Sequence, residues 1–444
     1  MEKEYLLRER PLRALFLFAL PMIVGNLFQQ FYTMADSMVV GRYVSENALA
    51  AVGASYSLTN VFICVAIGGG AGASVLTSRY FGAREYDRMK GSISTALLSF
   101  LAVSLVLAAL GLSLGREFMI LLKTPEDILN MAVEYLNIYF CGLPFLFMYN
   151  VLSSMFNALG RSRIPLYLLI FSSVFNIVLD IWMVRSLHLG IAGVAWATLI
   201  AQGISALVSF LIFLRELKSY PGTPKKLCSP GELSSMCRVA LPSIFQQSTV
   251  SIGMMLVQSV VNSFGPQMLA GFSAGMRVES LCIVPMAALG NAMSSYTAQN
   301  LGSGQTGRVR EGYHAALRLT AFFAVFLCLS LEFFHAPIIA SFLGSDGTSL
   351  ALETGSSYLR FIGFFFALIG LKMSTDGLLR GAADMKLFTL ANLANLSLRV
   401  IFAVTMAPRF GIAMVWYAVP LGWLVNFLIS FWEYRTGKWE RKLS

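Results

Sequence analysis

Runs of predominantly apolar residues, each long enough to cross a bilayer as a helix, recur along the whole chain and leave little room for any other fold. They occupy the windows 14 to 40, 48 to 78, 92 to 115, 128 to 158, 164 to 186, 190 to 214, 234 to 264, 268 to 300, 312 to 334, 350 to 380, 386 to 408 and 411 to 434. With hydrophobic residues at 57% and charged residues at 13%, these twelve windows predict an all-α integral membrane protein of twelve transmembrane helices. Several windows exceed a simple span, which tilt or extension past the bilayer accommodates.

The first window is apolar enough to span, yet Pro21 to Tyr43 carries Asn26, Gln29, Gln30, Thr33, Asp36 and Ser37. Steps of three and four put these side chains on one stripe of a helix, which must look into protein or water rather than lipid. A carboxylate costs about 2.5 to 3.5 kcal/mol at the centre of a membrane helix, so Asp36 marks a functional site. A structural hydrogen bond between helices is the competing explanation.

The net charge of +10 invites a nucleic-acid partner, but the basic residues sort by side. Lys3, Arg8, Arg10 and Arg13, then Arg79, Arg84, Arg88 and Lys90, then Arg161 and Arg163 lie on the face shared by the termini. So do Arg215, Lys218, Lys225, Lys226, Arg238, Arg308, Arg310, Arg380, Lys386, Arg435, Lys438, Arg441 and Lys442. The opposite face has Arg42, Arg116, Lys123, Arg185 and Arg409. By the positive-inside rule both termini are expected in the cytoplasm, with the chain multi-pass in the cell (plasma or inner) membrane and no nucleic acid bound. Arg8, Arg10 and Arg13 before ALFLFAL imitate a secretion signal; no small-residue cleavage site follows, so the segment is expected to stay attached. Cys64, Cys141, Cys237, Cys282 and Cys328 fall in or beside predicted helices, Cys228 lies in a linker, and CxxC is absent, so neither a disulfide framework nor a zinc site is expected.

The halves of the chain are related. An offset of 220 to 221 residues places Ala19-Leu20-Pro21 on Ala240-Leu241-Pro242, Leu49-Ala50 on Leu269-Ala270, Phe81-Gly82 on Leu301-Gly302 and Gly160 on Gly381. LGIAGVAWA (189 to 197) matches FGIAMVWYA (410 to 418) at five positions. A Pro/Gly/charge-rich break divides the copies, predicting a six-helix bundle over 1–215, a cytoplasmic linker over 216–232 and a second six-helix bundle over 233–444. Each copy holds an even number of helices, so the copies enter the membrane in the same sense, as parallel repeats.

Two motifs of soluble enzymes are coincidental. Gly302 to Gly307 satisfies GxGxxG but follows a membrane helix rather than a strand. Gly111 to Gly115 satisfies GxSxG without the strand-turn-helix that exposes a nucleophile. His188, His314 and His335 are far apart and form no metal-ligand spacing. No enzymatic constellation or cofactor is expected.

The chemistry is concentrated in the first bundle. The fifth predicted helix carries Ser172, Asn176 and Asp180 at i, i+4 steps, the sixth carries Thr198, Gln202, Ser205 and Ser209, and the fourth adds Tyr135, Tyr139, Asn150 and Asn157. Asp36, Asp180 and Thr198 each fall about two turns from the outer end of their helix, at similar depth. Two carboxylates, the Asn176 amide and the Thr198 hydroxyl make a hard-oxygen nest for a small cation such as Na⁺, and the same carboxylates can hold a proton. Polar glue between helices is the structural alternative. In the second half, Arg277, Glu279, Arg360, Lys372, Asp376 and Arg399 fall within predicted helices. Lys372 and Asp376 are an i, i+4 pair, and Asn392, Asn395 and Arg399 share a face, so this set reads mainly as structural ion pairing.

The chain resembles the multidrug and toxic compound extrusion (MATE) family over nearly its full length. The resemblance rests on the LP that opens helices one and seven, ADSMVVGRY closing helix one, ALGRSRIP with RGAADMK at equivalent turns, and GMRVES with the downstream QNLGSG. Asp36, Asn176-x-x-x-Asp180 and Thr198 are similar to the DinF-like branch, whose first-bundle acids are implicated in cation coupling. The resemblance further implies that Gln29, Tyr32, Tyr135 and Asn150 line a substrate cavity, which Gln202 joins from its stripe, and that Pro21 is a bend point. The NorM-like branch carries an acid in helix seven and another well inside helix ten; here helix seven has Met254, Met255 and Gln258, and Asp376 lies nearer the cytoplasmic end, so no coupling site is assigned to the second bundle.

The expected function is secondary antiport: export of amphipathic or cationic organic compounds in exchange for Na⁺ or H⁺, by alternating access, with membrane lipid as surroundings and no obligate protein partner. A lipid-linked precursor flippase of the same wider superfamily is the second expectation, against which the acidic first bundle argues.

Overall fold

With no water in a bilayer to satisfy backbone groups, an apolar span must pair its N–H and C=O groups within itself, which the α-helix does. The computed structural model of the chain describes residues 4–224, 226–344 and 347–440. Lys3, Lys225, Arg441 and Lys442, assigned above to the cytoplasmic face, lie outside the described residues. Among those described there are fourteen α-helices and no strand. In chain order they are α1 (Tyr5–Arg8), α2 (Pro11–Tyr43), α3 (Glu46–Gly82), α4 (Tyr86–Leu121), α5 (Glu126–Ala158), α6 (Arg163–Arg185), α7 (Gly190–Lys218), α8 (Pro230–Asn262), α9 (Pro266–Gly302), α10 (Thr306–Leu343), α11 (Ser349–Gly363), α12 (Phe366–Gly381), α13 (Met385–Phe410) and α14 (Ala413–Thr436).

Eleven of these are each long and apolar enough to span a membrane, and α11 with α12 forms a twelfth span bent by 55°. The window 350 to 380 reads as one helix in sequence; the chain breaks it at Phe364 and Phe365. Gly363 weakens the helix there, and the aromatic run after it loses side-chain freedom in a helical turn. Tighter bonds from the Phe365 N–H to the Ile362 carbonyl and from the Leu368 N–H to the Phe365 carbonyl (both 2.9 Å) carry the chain round the bend.

Helix starts follow local chemistry. Ser45 accepts the Ala48 N–H (3.0 Å), Thr348 accepts that of Ala351 (3.2 Å), and Pro266 occupies the first turn of α9, where its missing N–H costs nothing. Helix ends repeat between the halves. After α3, the Glu85 N–H bonds the Tyr80 carbonyl (3.0 Å) and the Arg84 N–H bonds Phe81 (3.1 Å); after α9, Gln305 bonds Asn300 (2.8 Å) and Gly304 bonds Leu301 (3.0 Å). Both turns put one residue in the left-handed region, Arg84 (φ 59°) and Gly304 (φ 75°), and only the glycine does so without a Cβ penalty.

The chain packs as two units, Val24–Ile244 and Met1–Ile23 with Phe245–Ser444. Both boundaries fall inside helices. In α2 the change comes between Ile23 and Val24, two residues after Pro21; in α8 it comes between Ile244 and Phe245, two residues after Pro242. These prolines are equivalent in the sequence repeat, so the packing units and the sequence copies have different edges.

Within Val24–Ile244, α5 packs against α3, α4 and α7, and α6 pairs with α7. Phe140 of α5 anchors one core cluster: it meets Phe62 edge-on at 5.4 Å, and a Cβ at Gly111 would come within 2.6 Å of its ring. A second cluster joins Leu76, Phe81, Ile93, Phe156 and Phe213 to Met236. Glycines on α3 let the start of α8 approach closely, since a Cβ at Gly72 would stand 2.7 Å from the Ala240 nitrogen.

In the other unit, α9 packs against α10, α11 and α12, and α14 against α12 and α13. Its core surrounds Tyr358, which lies 5.3 Å from the Phe272 ring and 5.7 Å from Trp416. The outer faces of α4 (Leu101, Val103, Leu105, Val106) and α10 (Phe322, Val325, Phe326, Leu329) expose large apolar side chains, which lipid solvates and water would not. The chain is a multi-pass membrane protein.

Candidate functional site

The polar stripe of the first window resolves into two edges on α2. Asn26, Gln29, Gln30, Thr33 and Ser37 are exposed on the surface of the Val24–Ile244 unit, whereas Tyr32 and Asp36, one turn apart, are partly buried against α6. The hydroxyls on the exposed edge turn back on their own helix: Thr33 donates to the Gln29 carbonyl and Ser37 to that of Thr33, both at 2.9 Å. That leaves Asp36 and Tyr32 to meet the fifth predicted span, α6, directly.

Asp180 is fully buried and Asn176, one turn earlier, is 2% exposed. The neighbours fix the orientation of the Asn176 amide: its nitrogen donates to Asp180 Oδ2 (3.1 Å) and faces the Tyr32 hydroxyl, while its oxygen accepts from the Thr198 N–H (3.1 Å). Thr198 donates its hydroxyl to the Val194 carbonyl (3.0 Å). The carboxyls of Asp36 and Asp180 lie within hydrogen-bonding reach of each other. Asp36 Oδ1 and Asp180 Oδ1 are buried without a hydrogen-bond partner. Two carboxylates facing each other in a low dielectric repel strongly, a repulsion that a proton between them or a cation beside them would relieve.

The helices thus bring together the four residues singled out as a cation nest, and add Tyr32. Tyr135 of α5 and Gln202 of α7 line a small cleft together with Thr198, Tyr139, Gly142 and Leu199. Tyr139 was not among the candidate cavity residues; its hydroxyl is buried without a partner, and its place one turn from Tyr135 was the signal available. Gln29 and Asn150 do not join this group. Gln29 lies on the exposed edge of α2, and the Asn150 amide donates to the Leu146 carbonyl of its own helix (2.8 Å). Pro21 is buried inside α2, in the unit that does not hold the acids.

The charges of the second half form separate groups. Lys372 Nζ lies 2.9 Å from Asp376 Oδ2 and donates to Asn392 Oδ1 (3.2 Å), which also accepts from Gln246 (3.1 Å). Ser430 donates to the other oxygen of Asp376 at 2.8 Å. Arg360 pairs with Glu332 of α10 at 2.8 Å. Glu279 is 4% exposed and accepts the hydroxyl of Tyr358, while Arg399 makes no ion pair within 4 Å among the described residues. Among the described residues ion pairing is thus found for Lys372 with Asp376 and for Arg360 with Glu332, whereas Arg277, Glu279 and Arg399 make none within 4 Å.

Comparison with known proteins places the chain. It is 29% identical over 430 residues to the probable multidrug resistance protein YpnP of Bacillus subtilis, covering 97% of this chain and 96% of that one. It is 27% identical over 444 residues to the probable multidrug resistance protein YoeA of the same organism, covering 97% and 94%. A solved structure of a MOP superfamily transporter from Pyrococcus furiosus shares the fold, with a TM-score of 0.91 at 23% identity over 98% of both chains. The MatE family model matches residues 21–182 and 242–405, one stretch in each repeat and together most of the chain, and the chain belongs to that family.

Proposed function

We propose that the protein is a secondary active antiporter that exports amphipathic or cationic organic compounds in exchange for Na⁺ or H⁺. The observation that carries this reading is the pair of facing carboxylates, partly buried Asp36 and fully buried Asp180, each with an orphaned oxygen, with Asp180 tied through Asn176 to the Thr198 backbone. Membership of the MatE family and the likeness to YpnP and YoeA, whose names make them probable multidrug resistance proteins, support export over the flippase alternative and over enzymatic activity.

A cation or proton bound at Asp36, Asn176, Asp180 and Thr198, as in the DinF-like branch, shifts the inward/outward equilibrium by its difference in affinity for the two states. Substrate drawn to Tyr32, Tyr135 and Gln202, with Gln29 and Asn150 further along the cavity wall, must then favour the opposite state for exchange to be coupled. Pro21 supplies a bend point in α2, and its position two residues from a unit boundary supports that role. The basic-residue asymmetry supports cytoplasmic termini in the cell membrane, with the sequence copies 1–215 and 233–444 as the moving bundles about the 216–232 linker.

The test is transport of rhodamine 6G by purified protein in vesicles, under separately imposed Na⁺ and H⁺ gradients. One gradient should drive efflux and the other should not. Equal flux with both gradients collapsed would remove the antiport reading.

A further inference from the structure

The Phe245–Ser444 unit contains a cleft of about 450 Å³ whose lining residues all belong to that unit. Much of its wall is soft and apolar, with Met254 and Met255 from α8, Met276 and Phe272 from α9, and Val419 from α14, while Gln258, Ser259 and Asn262 of α8 and Tyr358 of α11 add polar groups. Thioethers and aromatic faces of this kind adapt to flat or irregular apolar ligands. Among the described residues its one charged lining residue is Arg399, past the middle of α13.

A guanidinium in a membrane span is costly unless something answers its charge. Lys372 and Arg360 of the same unit have carboxylates at 2.9 and 2.8 Å. Arg399 has none among the described residues. Glu279, which feels the charge of Arg399, gives its oxygen to the hydroxyl of Tyr358 instead, and Tyr358 is itself part of the cleft wall. The Arg399 stem is nonetheless held in place: it lies across Gly422, where a Cβ would come within 2.8 Å of its Cγ and 3.1 Å of its Cδ. The result is a fixed, planar, five-donor cation at the edge of an adaptable apolar cleft, with no anion of the described residues paired to it.

We propose that this cleft is a second ligand site that takes an amphiphile carrying a carboxylate, sulfonate or phosphate. Arg399 holds the anionic group and the methionine and aromatic wall holds the apolar body. The proposal is independent of which ion couples transport, and it assigns the two units opposite charge preferences.

Fluorescein and rhodamine 6G share a xanthene ring system and carry opposite charge, so they separate charge recognition from apolar contact. Their binding to the full-length protein in lipid nanodiscs is read by fluorescence polarisation. Arg399→Gln should weaken fluorescein binding by about tenfold or more, the loss expected of a charge-assisted contact, and change rhodamine 6G binding by less than about twofold. Arg399→Lys should fall between, keeping the charge but not the fork, and Met255→Ala should weaken fluorescein several-fold through the wall. Unchanged fluorescein binding, or equal weakening of both dyes, would reduce Arg399 to a structural counter-charge for Glu279 and overturn the proposal. Should Arg399→Gln not fold, the wild-type protein decides: octanesulfonate should displace fluorescein and octyltrimethylammonium should not, and equal displacement by both defeats the idea.

Discussion

The ammonium of Lys372 lies 2.9 Å from the carboxylate of Asp376, one turn further along α12, and both side chains are buried. Asn392, Gln246 and Ser430 complete the cluster, so neither charge meets an apolar wall directly. Removing one partner of a buried pair leaves the other uncompensated, at about 3 to 5 kcal/mol. Lys372→Met should therefore lower the thermal unfolding midpoint sharply, and Lys372→Met with Asp376→Leu should recover most of the loss. A single variant as stable as the wild type would show that water reaches the pair.

For the first-bundle acids the expected outcome is loss of coupling without loss of fold. Asp36→Asn and Asp180→Asn keep shape and most hydrogen bonding while removing charge, so gradient-driven efflux should cease while the protein still elutes as a folded species. A membrane potential supplies about 2.3 kcal/mol per charge per 100 mV, a drive that a neutralised site cannot use. Asn176→Ala should give a weaker defect and Thr198→Ala the mildest, because Thr198 reaches Asn176 through its backbone N–H, which alanine retains. Wild-type rates in both aspartate variants would move attention to Glu279 and Asp376.

These residues show how far the sequence could be read. Helical spacing placed Asn176 and Asp180 on one face, and the depth argument put Asp36 and Thr198 beside them, because periodicity and span length are properties of the chain alone. The amide of Asn176 bridging to a backbone N–H of the next helix could not be read, since it depends on how α6 and α7 cross. The stripe on α2 splits into two edges for the same reason: helical periodicity says which side chains are neighbours, while packing decides which edge meets another helix. The bend between α11 and α12 was hidden because hydropathy averages over a window and registers no break in hydrogen bonding.

Close helix approach on α3 predicts a graded stability series. A Cβ at Gly72 would sit 2.7 Å from backbone and side-chain atoms of Ala240, and overpacking of this kind costs about 1 to 3 kcal/mol. A methyl group added at Gly53, on the same helix, would meet nothing within 4 Å. Gly72→Ala should lower the unfolding midpoint, and Gly53→Ala should leave it equal or slightly raised through helix propensity. Equal effects at both positions would contradict the packing.

Topology can be checked with a native thiol. Cys228 lies in the segment between α7 and α8 and is exposed. In a variant with the other cysteines replaced by serine or alanine, a membrane-impermeant maleimide should label Cys228 only after the cells are permeabilised. Labelling of intact cells would invert the assigned orientation.

The change of unit within α2 and α8 bears on how such a chain can be divided. Each repeat lends the leading half of its first helix to the other repeat's unit: Met1–Ile23 goes with Phe245–Ser444, and the first half of α8 goes with Val24–Ile244. This is a reciprocal segment swap inside one polypeptide. A gene severed at the linker would therefore yield two fragments, neither holding a whole unit.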